Sequence, residues 1–151
     1  MNCLSCHGNN SAPGSLPPRE SIFDNGLWRV AHAINCALPG WIVVIPKRHI
    51  LSLSELTPEE ATILGPLLAS LSKALEATFK VPKAYVVFLA EKPGFEHAHL
   101  HVIPRPVDLP EGQRGPGIFD YLKQPHEQWV GEAEMNHIAD RLRPLLLNNQ
   151  L

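Results

Sequence analysis

The chain contains one stretch in which histidine alternates with apolar residues, His97-Ala98-His99-Leu100-His101-Val102-Ile103, and Pro104 closes it. In an extended strand successive side chains point to opposite faces, so this spacing predicts three imidazoles on one face and apolar residues on the other. Burying three titratable rings together costs free energy unless they stay neutral, bind metal or meet an anion. The stretch therefore predicts a strand with one core face and one chemical face, and chelation of a single zinc ion by all three rings is one interpretation.

This spacing, His-φ-His-φ-His-φ-φ with φ apolar, resembles the signature of the histidine triad (HIT) family at every position from His97 to Ile103. The resemblance extends to Gly40-Trp41-Ile42-Val43-Val44-Ile45-Pro46-Lys47-Arg48-His49, which is similar to the family's preceding strand and its Pro-Lys-Arg-His end. It is clearest over about residues 20–106. The resemblance implies a HIT-like fold, activity on nucleotides, and homodimers.

Length and charge narrow the class of protein. A chain of 151 residues suits one domain, and 13 basic against 15 acidic side chains leave a net charge of −2. This balance provides no broad positive field for nucleic acid or an anionic membrane. The chain has no apolar run of membrane-spanning length and no signal-peptide pattern at its N-terminus. We therefore expect a single cytoplasmic domain over 1–151 whose partner is a small molecule.

Apolar patterns predict an antiparallel sheet of about five strands. Asn25-Gly26 predicts a hairpin with a type I′ turn, because both residues tolerate a positive φ. β-branched and apolar runs predict the remaining strands. The strands are expected at 21–24, 27–31, 41–45, 84–90 and 97–103.

Two helices are predicted to cover one face of this sheet. Thr57, with Pro58 at the first helical position and Glu60 as the partner of a capping box, predicts a helix start. Pro66 lies inside the leucine pattern that follows, which predicts a kink near Thr62 or a break into two segments. The tail predicts a last helix with one apolar face made of Met135, Ile138, Ala139, Leu142 and Leu145.

The sum is an α+β layer architecture with three segments. Residues 20–106 form the expected core. Residues 107–151 form a C-terminal loop, with Ile118, Phe119 and Tyr121 as apolar anchors, followed by the last helix. Residues 1–19 are rich in Gly, Pro and Asn, a composition that predicts no regular structure.

The N-terminal segment carries Cys3-x-x-Cys6. In a reducing compartment these thiols are expected to act as metal ligands, with Cys36 as a spare. His49 and His97 are candidates to complete a tetrahedral Cys2His2 set, which is similar to the ligand set of the zinc-binding HIT branch. Four protein ligands would make a closed, structural zinc site that anchors residues 1–19. The alternatives are that both cysteines are plain tail residues, or that Cys3-Leu4-Ser5-Cys6-His7 is a C-x-x-C-H haem attachment string.

The resemblance also implies roles for single residues. In the HIT family the middle histidine attacks the α-phosphorus of a nucleotide, which places the nucleophile at His99, and His101 would donate to an oxygen of the phosphate. Substrate contacts are expected from His32, Asn35 and Gly94 in addition to His101. The chain departs from its relatives at two places: Ala33 stands where they commonly have an aspartate for the ribose, and the loop 91–96 lacks their Ser or Gln.

The sequence therefore predicts a nucleotide hydrolase or transferase that cleaves at the α-phosphate of a dinucleoside polyphosphate or a nucleoside phosphoramidate. Two alternatives remain open. The three histidines could ligate the zinc of a hydrolase, or the protein could bind nucleotides without turnover.

Overall fold

Five antiparallel strands form one sheet in the order β1-β2-β3-β5-β4. The structure is a computed structural model that describes residues 3–12 and 14–147. The described residues do not include 1, 2, 13 and 148–151. These positions belong to the predicted segments 1–19 and 107–151, so that part of the prediction lies outside the described residues. The strands are β1 (Phe23–Asp24), β2 (Trp28–His32), β3 (Ile42–Pro46), β4 (Ala84–Phe88) and β5 (Leu100–Pro104). The helices are α1 (Leu4–Asn9), α2 (Pro58–Phe79) and α3 (Glu132–Leu147).

One face of the sheet packs against α2 and α3. Val30 pairs with Val44, and Val44 pairs with Leu100, so a row of apolar side chains crosses the three central strands on this face. Leu71 of α2 and Leu142 of α3 are fully buried against it. The expected α+β fold, with a five-stranded antiparallel sheet and helices on one face, is confirmed.

The opposite face carries a second, smaller core. The stretch after β5 folds back over it in three short 3-10 turns, Glu111–Gln113, Gly115–Leu122 and His126–Gln128. The expected anchors pack there: Ile118 is fully buried, and Phe119 and Tyr121 lie against the same cluster. Between this cluster and α1, part of the sheet remains open as a cavity.

The turn between β1 and β2 differs from the type I′ turn expected at Asn25-Gly26. Gly26 has φ +84°, whereas Asn25 is not among the described residues with positive φ. The Asn25 side chain instead accepts hydrogen bonds from the backbone N–H groups of Leu27 and Trp28. The Asn25 backbone N–H also donates to the Trp28 carbonyl, so the turn lies one residue later than expected, with Gly26 and Leu27 at its centre.

Both long helices depart from prediction in one detail. Pro66 lies inside a continuous α2, so the alternative of a break into two segments is wrong; Leu67 and Leu71, which follow the proline, are fully buried and keep this part of the helix packed. In α3 the apolar face ends on Leu146, not on Leu145, which is 39% exposed. Leu146 follows Met135 by eleven residues, close to three helical turns. No described helix combines the length and apolar composition needed to cross a membrane.

The N-terminal segment contains a helix that the composition did not predict. Cys3 caps α1, because its Sγ accepts a hydrogen bond from the backbone N–H of Cys6 at 3.3 Å. The Asn9 side chain at the other end donates to the carbonyl of Pro46 at the end of β3. The C-x-x-C spacing therefore forms the first turn of a helix that is tied to the sheet.

Candidate functional site: a histidine pair beside a Cys2His2 cluster

The sequence predicted that the three histidines of the alternating stretch lie on one strand face, and this prediction is wrong for His97. β5 begins only at Leu100, and His97 lies in a bend before it. His99 and His101 line the same cavity, with ring centroids 4.7 Å apart. His97 is buried and its Nδ1 faces Cys6 Sγ at 3.5 Å. The bend separates one imidazole from the other two and directs it towards the N-terminal segment.

The hydrogen-bond partner of each ring determines which nitrogen carries the proton. A backbone carbonyl only accepts, so His99 Nδ1 donates to the His97 carbonyl at 2.8 Å, and in the neutral form of this ring the lone pair lies on Nε2. His97 Nε2 likewise donates to the Pro46 carbonyl at 2.9 Å, which leaves its Nδ1 lone pair towards the cysteines. His101 Nδ1 accepts from the indole Nε1–H of Trp41 at 2.9 Å. The three imidazoles are thus held in defined orientations.

Cys3, Cys6, His49 and His97 form a cluster whose ligand atoms all lie within 4.8 Å of one another. His49 Nδ1 is 3.2 Å from His97 Nδ1, and Cys3 Sγ is 3.6 Å from His97 Nδ1. Tetrahedral zinc with Zn–N and Zn–S bonds of about 2.0 and 2.3 Å requires about 3.3 Å between nitrogens and about 3.6 Å between nitrogen and sulfur. The predicted ligand set therefore meets in a geometry that fits zinc.

The cluster bears on two alternatives that the sequence left open. Among the described residues it is the one group of three or more potential metal ligands, and it contains neither His99 nor His101. The three histidines of the motif therefore do not form one metal site. His7 is also outside the cluster, and both thiols face imidazoles, an arrangement that does not favour haem attachment. Burial lowers the pKa of His97 and raises that of Cys6.

The cavity beside His99 and His101 has a volume of about 390 Å³. Its floor is the open face of β2 and β3, with Ala31, Val43 and Ile45. α1 supplies one wall through Leu4 and Ser5, and the stretch after β5 supplies another through Phe119 and Leu122. The loop after β4 closes a third side.

Most of the predicted substrate contacts lie at this cavity. Asn35, His99 and His101 line it. Gly94 is not among the described lining residues, and the loop 91–96 contacts the cavity through Lys92 and Phe95 instead. His32 also lines it, but its Nδ1 donates to the Ala33 carbonyl and its Nε2 accepts from Gly40 N–H. Burial lowers the pKa of His32 to about 4. Both nitrogens of this neutral ring are already hydrogen-bonded, so His32 would contact a substrate only through van der Waals packing.

A family model agrees with this arrangement. Residues 17–107 match the model described as the HIT domain, which is more than half of the chain. The chain belongs to the HIT family. It is 29% identical over 142 residues to the bis(5'-adenosyl)-triphosphatase of Dictyostelium discoideum, covering 91% of this chain and 93% of that protein.

Solved structures of other HIT proteins share the fold. A Zn-bound histidine triad family protein from Mycobacterium smegmatis matches with a TM-score of 0.64 and 21% identity, over 97% of this chain and 94% of that one. A histidine triad protein from Marinobacter aquaeolei matches with a TM-score of 0.67 and 25% identity, over 85% and 88% of the two chains. The described architecture is therefore that of known HIT proteins.

Sequence reasoning missed several residues of this HIT site. Trp41 and Phe119 pack edge-on against the ring of His101, with centroids 5.7 and 5.6 Å away. Arg29 is buried at the cavity wall, where its guanidinium bonds Glu20 and the Asn9 side chain. Of these residues, only Arg29 could have been recognised from the sequence. It lies inside an otherwise apolar strand pattern, and a charged side chain in such a place is expected to be buried with a partner, because buried charges are rare unless they are paired.

Proposed function

We propose that this HIT protein is a nucleotide hydrolase or transferase that cleaves at the α-phosphate of a nucleotide conjugate, with His99 as the nucleophile. The observation that carries the proposal is the Nδ1–H bond from His99 to the His97 carbonyl. It leaves the Nε2 lone pair available on a ring that lines the cavity. A neutral imidazole with a free nitrogen is a good nucleophile near pH 7.

The reaction would run in two displacements. In the first, a bond forms between His99 Nε2 and the α-phosphorus while the bond from phosphorus to the leaving group breaks, and the leaving group takes that electron pair. In the second, water attacks the same phosphorus and His99 leaves with the electron pair of the N–P bond. The proton lost by the water passes to solvent, and the product is a nucleoside monophosphate. A nucleotidyl-histidine links the two steps.

His101 is proposed to donate a hydrogen bond to a phosphate oxygen during both steps. Its ring lies 4.7 Å from that of His99, close enough for the two imidazoles to contact different atoms of one phosphate. Preorganised donors of this kind stabilise the charge that develops in the transition state. Asn35 is the proposed polar contact in the loop after β2, where Ala33 has no group for a ribose hydroxyl.

The substrate class is proposed from the relatives together with the cavity. The protein from Dictyostelium discoideum is a bis(5'-adenosyl)-triphosphatase, and it aligns with nearly the whole chain. Apolar side chains at the cavity, including Ile34, Leu89 and Phe95, suit a nucleobase. Dinucleoside polyphosphates are therefore the first candidates, and nucleoside phosphoramidates are the second.

Trapping the covalent intermediate tests this function. Rapid acid quenching followed by intact-mass analysis should show a nucleotide-sized increment on the wild-type protein. His99→Ala should show no increment and no turnover while it binds nucleotide with near wild-type affinity, because a nucleophile acts mainly in the transition state. His101→Ala should still form the adduct but react about 10²–10³-fold more slowly.

His137→Ala is the matched control, since His137 lies on the exposed side of α3 away from the cavity. Its rates should equal those of the wild type. Turnover that survives in His99→Ala would overturn the proposal. Nucleotide binding with no turnover of either substrate class would instead favour the non-catalytic binding module.

We also propose that Cys3, Cys6, His49 and His97 hold one structural zinc ion. The support is the ligand set, its near-tetrahedral spacing and the second bond of His97 to the Pro46 carbonyl, which orients the ring. A closed four-ligand site stabilises structure and leaves no position for substrate. When bound, zinc would secure α1 to the bend that carries His97.

Metal analysis tests this site. Purified metal-replete protein should contain about one zinc per chain, and the Cys3→Ser/Cys6→Ser double variant should contain almost none. Cys36→Ser is the matched control, because Cys36 is buried in the second core away from the cluster and should leave the zinc content unchanged. Full zinc occupancy in the double variant would contradict the proposed ligands.

A further inference from the structure

Trp41 lies buried behind the cavity and forms a hydrogen bond with His101. It precedes β3, its side chain is 0% exposed, and its indole Nε1–H donates to Nδ1 of His101 at 2.9 Å. The two rings are nearly perpendicular, at 88°. Phe119 meets both rings edge-on, at 5.3 Å from Trp41 and 5.6 Å from His101. Three aromatic rings thus fix the position of one another.

The chemistry of the indole limits the protonation state of its partner. An indole nitrogen donates a hydrogen bond and does not accept one. His101 Nδ1 must therefore carry a lone pair, and the single proton of the neutral imidazole lies on Nε2. His99 has the opposite arrangement, with its proton on Nδ1. The neighbouring rings consequently differ in function, since one has a free lone pair and the other has a free N–H.

The surroundings of His101 favour this neutral form. Across the sheet it pairs with Val43 and Val87, and Trp41 and Phe119 pack edge-on against its ring. His99 is its titratable neighbour among the described contacts. Burial, with a smaller effect of His99, lowers the pKa of His101 to about 3. A charged imidazolium would also place Nδ1–H against the indole N–H, two donors facing each other.

We propose that Trp41 is a positioning residue that holds His101 in the Nε2–H tautomer, so that this N–H is aimed at the phosphate oxygen during attack by His99. The part about phosphate rests on the proposed function. The part about the tautomer rests only on the hydrogen bond and can be measured without substrate. Trp41 itself touches no reacting atom in this arrangement.

The first test is ¹⁵N NMR of the histidine rings in the substrate-free protein at neutral pH. The two nitrogens of a neutral imidazole have well-separated chemical shifts, so the spectrum distinguishes the tautomers. The wild type should show His101 as a single Nε2–H tautomer. A spectrum with the proton on Nδ1, or with a charged ring, would overturn the proposal, and this measurement needs no substitution to fold.

The second test removes the donor. Trp41→Phe keeps an aromatic ring but has no N–H, and we expect His101 to populate both tautomers and kcat to fall about tenfold, part of the 10²–10³-fold cost of losing a donor altogether. KM should stay within about twofold, because ground-state binding does not use this bond. Benzothienylalanine at position 41, an isostere of tryptophan without the N–H, should reproduce both effects with less change in packing.

Trp28→Phe is the matched control. Trp28 is also 0% exposed, and its indole donates to the Glu60 carbonyl at 3.0 Å on the helical face of the sheet. Both variants lose one buried hydrogen bond and should lose similar stability, but only Trp41→Phe should change kcat and the His101 spectrum. Equal losses of kcat in the two variants, or an unchanged tautomer and kcat in Trp41→Phe, would overturn the role. If no adduct forms in the wild type, the proposed function fails while the tautomer result stands.

Discussion

Gly40 shows how one residue can serve both the core and the site. Its φ of +81° is readily adopted only by glycine, and its N–H donates to His32 Nε2. A Cβ at this position would lie 2.4 Å from the ring of Phe79, at the end of α2. The turn before β3 therefore disfavours a side chain at position 40 for two separate reasons, the positive φ and the contact with Phe79.

We predict that Gly40→Ala lowers the free energy of unfolding by about 2–4 kcal/mol, the sum of a positive-φ cost and a steric clash. Gly26→Ala is the control, since Gly26 has φ +84° but open space around it, and it should lose only about 1 kcal/mol. Urea denaturation of the three proteins measures the difference. Equal losses in both variants would show that Phe79 moves aside without cost.

At the level of single residues, the sequence identified the histidines of the site but not their aromatic neighbours. His99 and His101 are recognisable because alternating imidazoles are rare. Trp41 and Phe119 resemble ordinary core residues in an apolar run and in a Gly/Pro-rich loop. Their contacts with His101 depend on cross-strand register and on how the chain returns after β5, and residue type alone does not report these features.

The start of α2 depends on one buried carboxylate. Both oxygens of Glu60 accept hydrogen bonds from Arg48, at 2.7 and 2.8 Å, and one of them also accepts from the backbone N–H of Thr57. The bonds from Arg48, together with the capping contacts of Thr57, lower the pKa of Glu60 from 4.5 to about 2. Glu60 joins the capping box of α2 to the strand-end sequence Pro-Lys-Arg-His.

This pKa shift predicts a pH dependence of stability. The folded state holds Glu60 ionised, so its contribution is complete above about pH 4.5 and is lost as the pH falls from there towards 2. Between pH 7 and pH 3.5 the stability gap between wild type and Glu60→Gln should shrink by about 1 kcal/mol, a value reduced for the half-exposed Arg48. Urea unfolding at both pH values gives this gap.

Glu59→Gln serves as the control for the same helix turn. Glu59 is exposed and lies one residue away in the first turn of α2. Its gap to the wild type should be small and should not change with pH in this way. A constant gap for Glu60→Gln would show that the carboxylate is not held ionised by the fold.

At the level of elements, the long periodic patterns were predicted well and the short ones were not. α2 and α3 each have an apolar stripe that is long enough to recognise in the sequence and that must be buried in the core. α1 is too short to have such a stripe, and it exists because the Cys3 sulfur caps it and Asn9 bonds β3. The late start of β5, at Leu100 and not at the predicted His97, has a similar local cause, since the His97 ring faces Cys6 of the cluster instead of lining up with the other two histidines.

The sheet ends in an exposed edge that suits a second copy of the chain. β4 is the last strand in the sheet, and Val86 and the following Leu89 are 45% and 55% exposed. An open edge with apolar side chains invites pairing with another strand. Two copies related by a two-fold axis would pair β4 with β4 in antiparallel fashion.

We therefore predict a homodimer in solution. Light scattering at micromolar concentration should give about twice the chain mass of 16.7 kDa. Val86→Arg should shift the protein to monomer, because like charges would face each other across the new strand pair. Leu51→Arg, at a position outside β4 that is 57% exposed, should remain dimeric. A monomeric wild type would refute the pairing.

The boundaries of the family match have a practical consequence for anyone who shortens this protein. The HIT model spans residues 17–107, yet two walls of the cavity come from outside it, Leu4 and Ser5 on one side and Phe119 and Leu122 on the other. A truncation at the family boundaries would keep His99, the proposed nucleophile, and discard two of the three walls of its cavity. Differences in ligand preference between this protein and other HIT proteins should therefore be sought in the two ends of the chain, and inhibitors meant to discriminate among them should contact those ends.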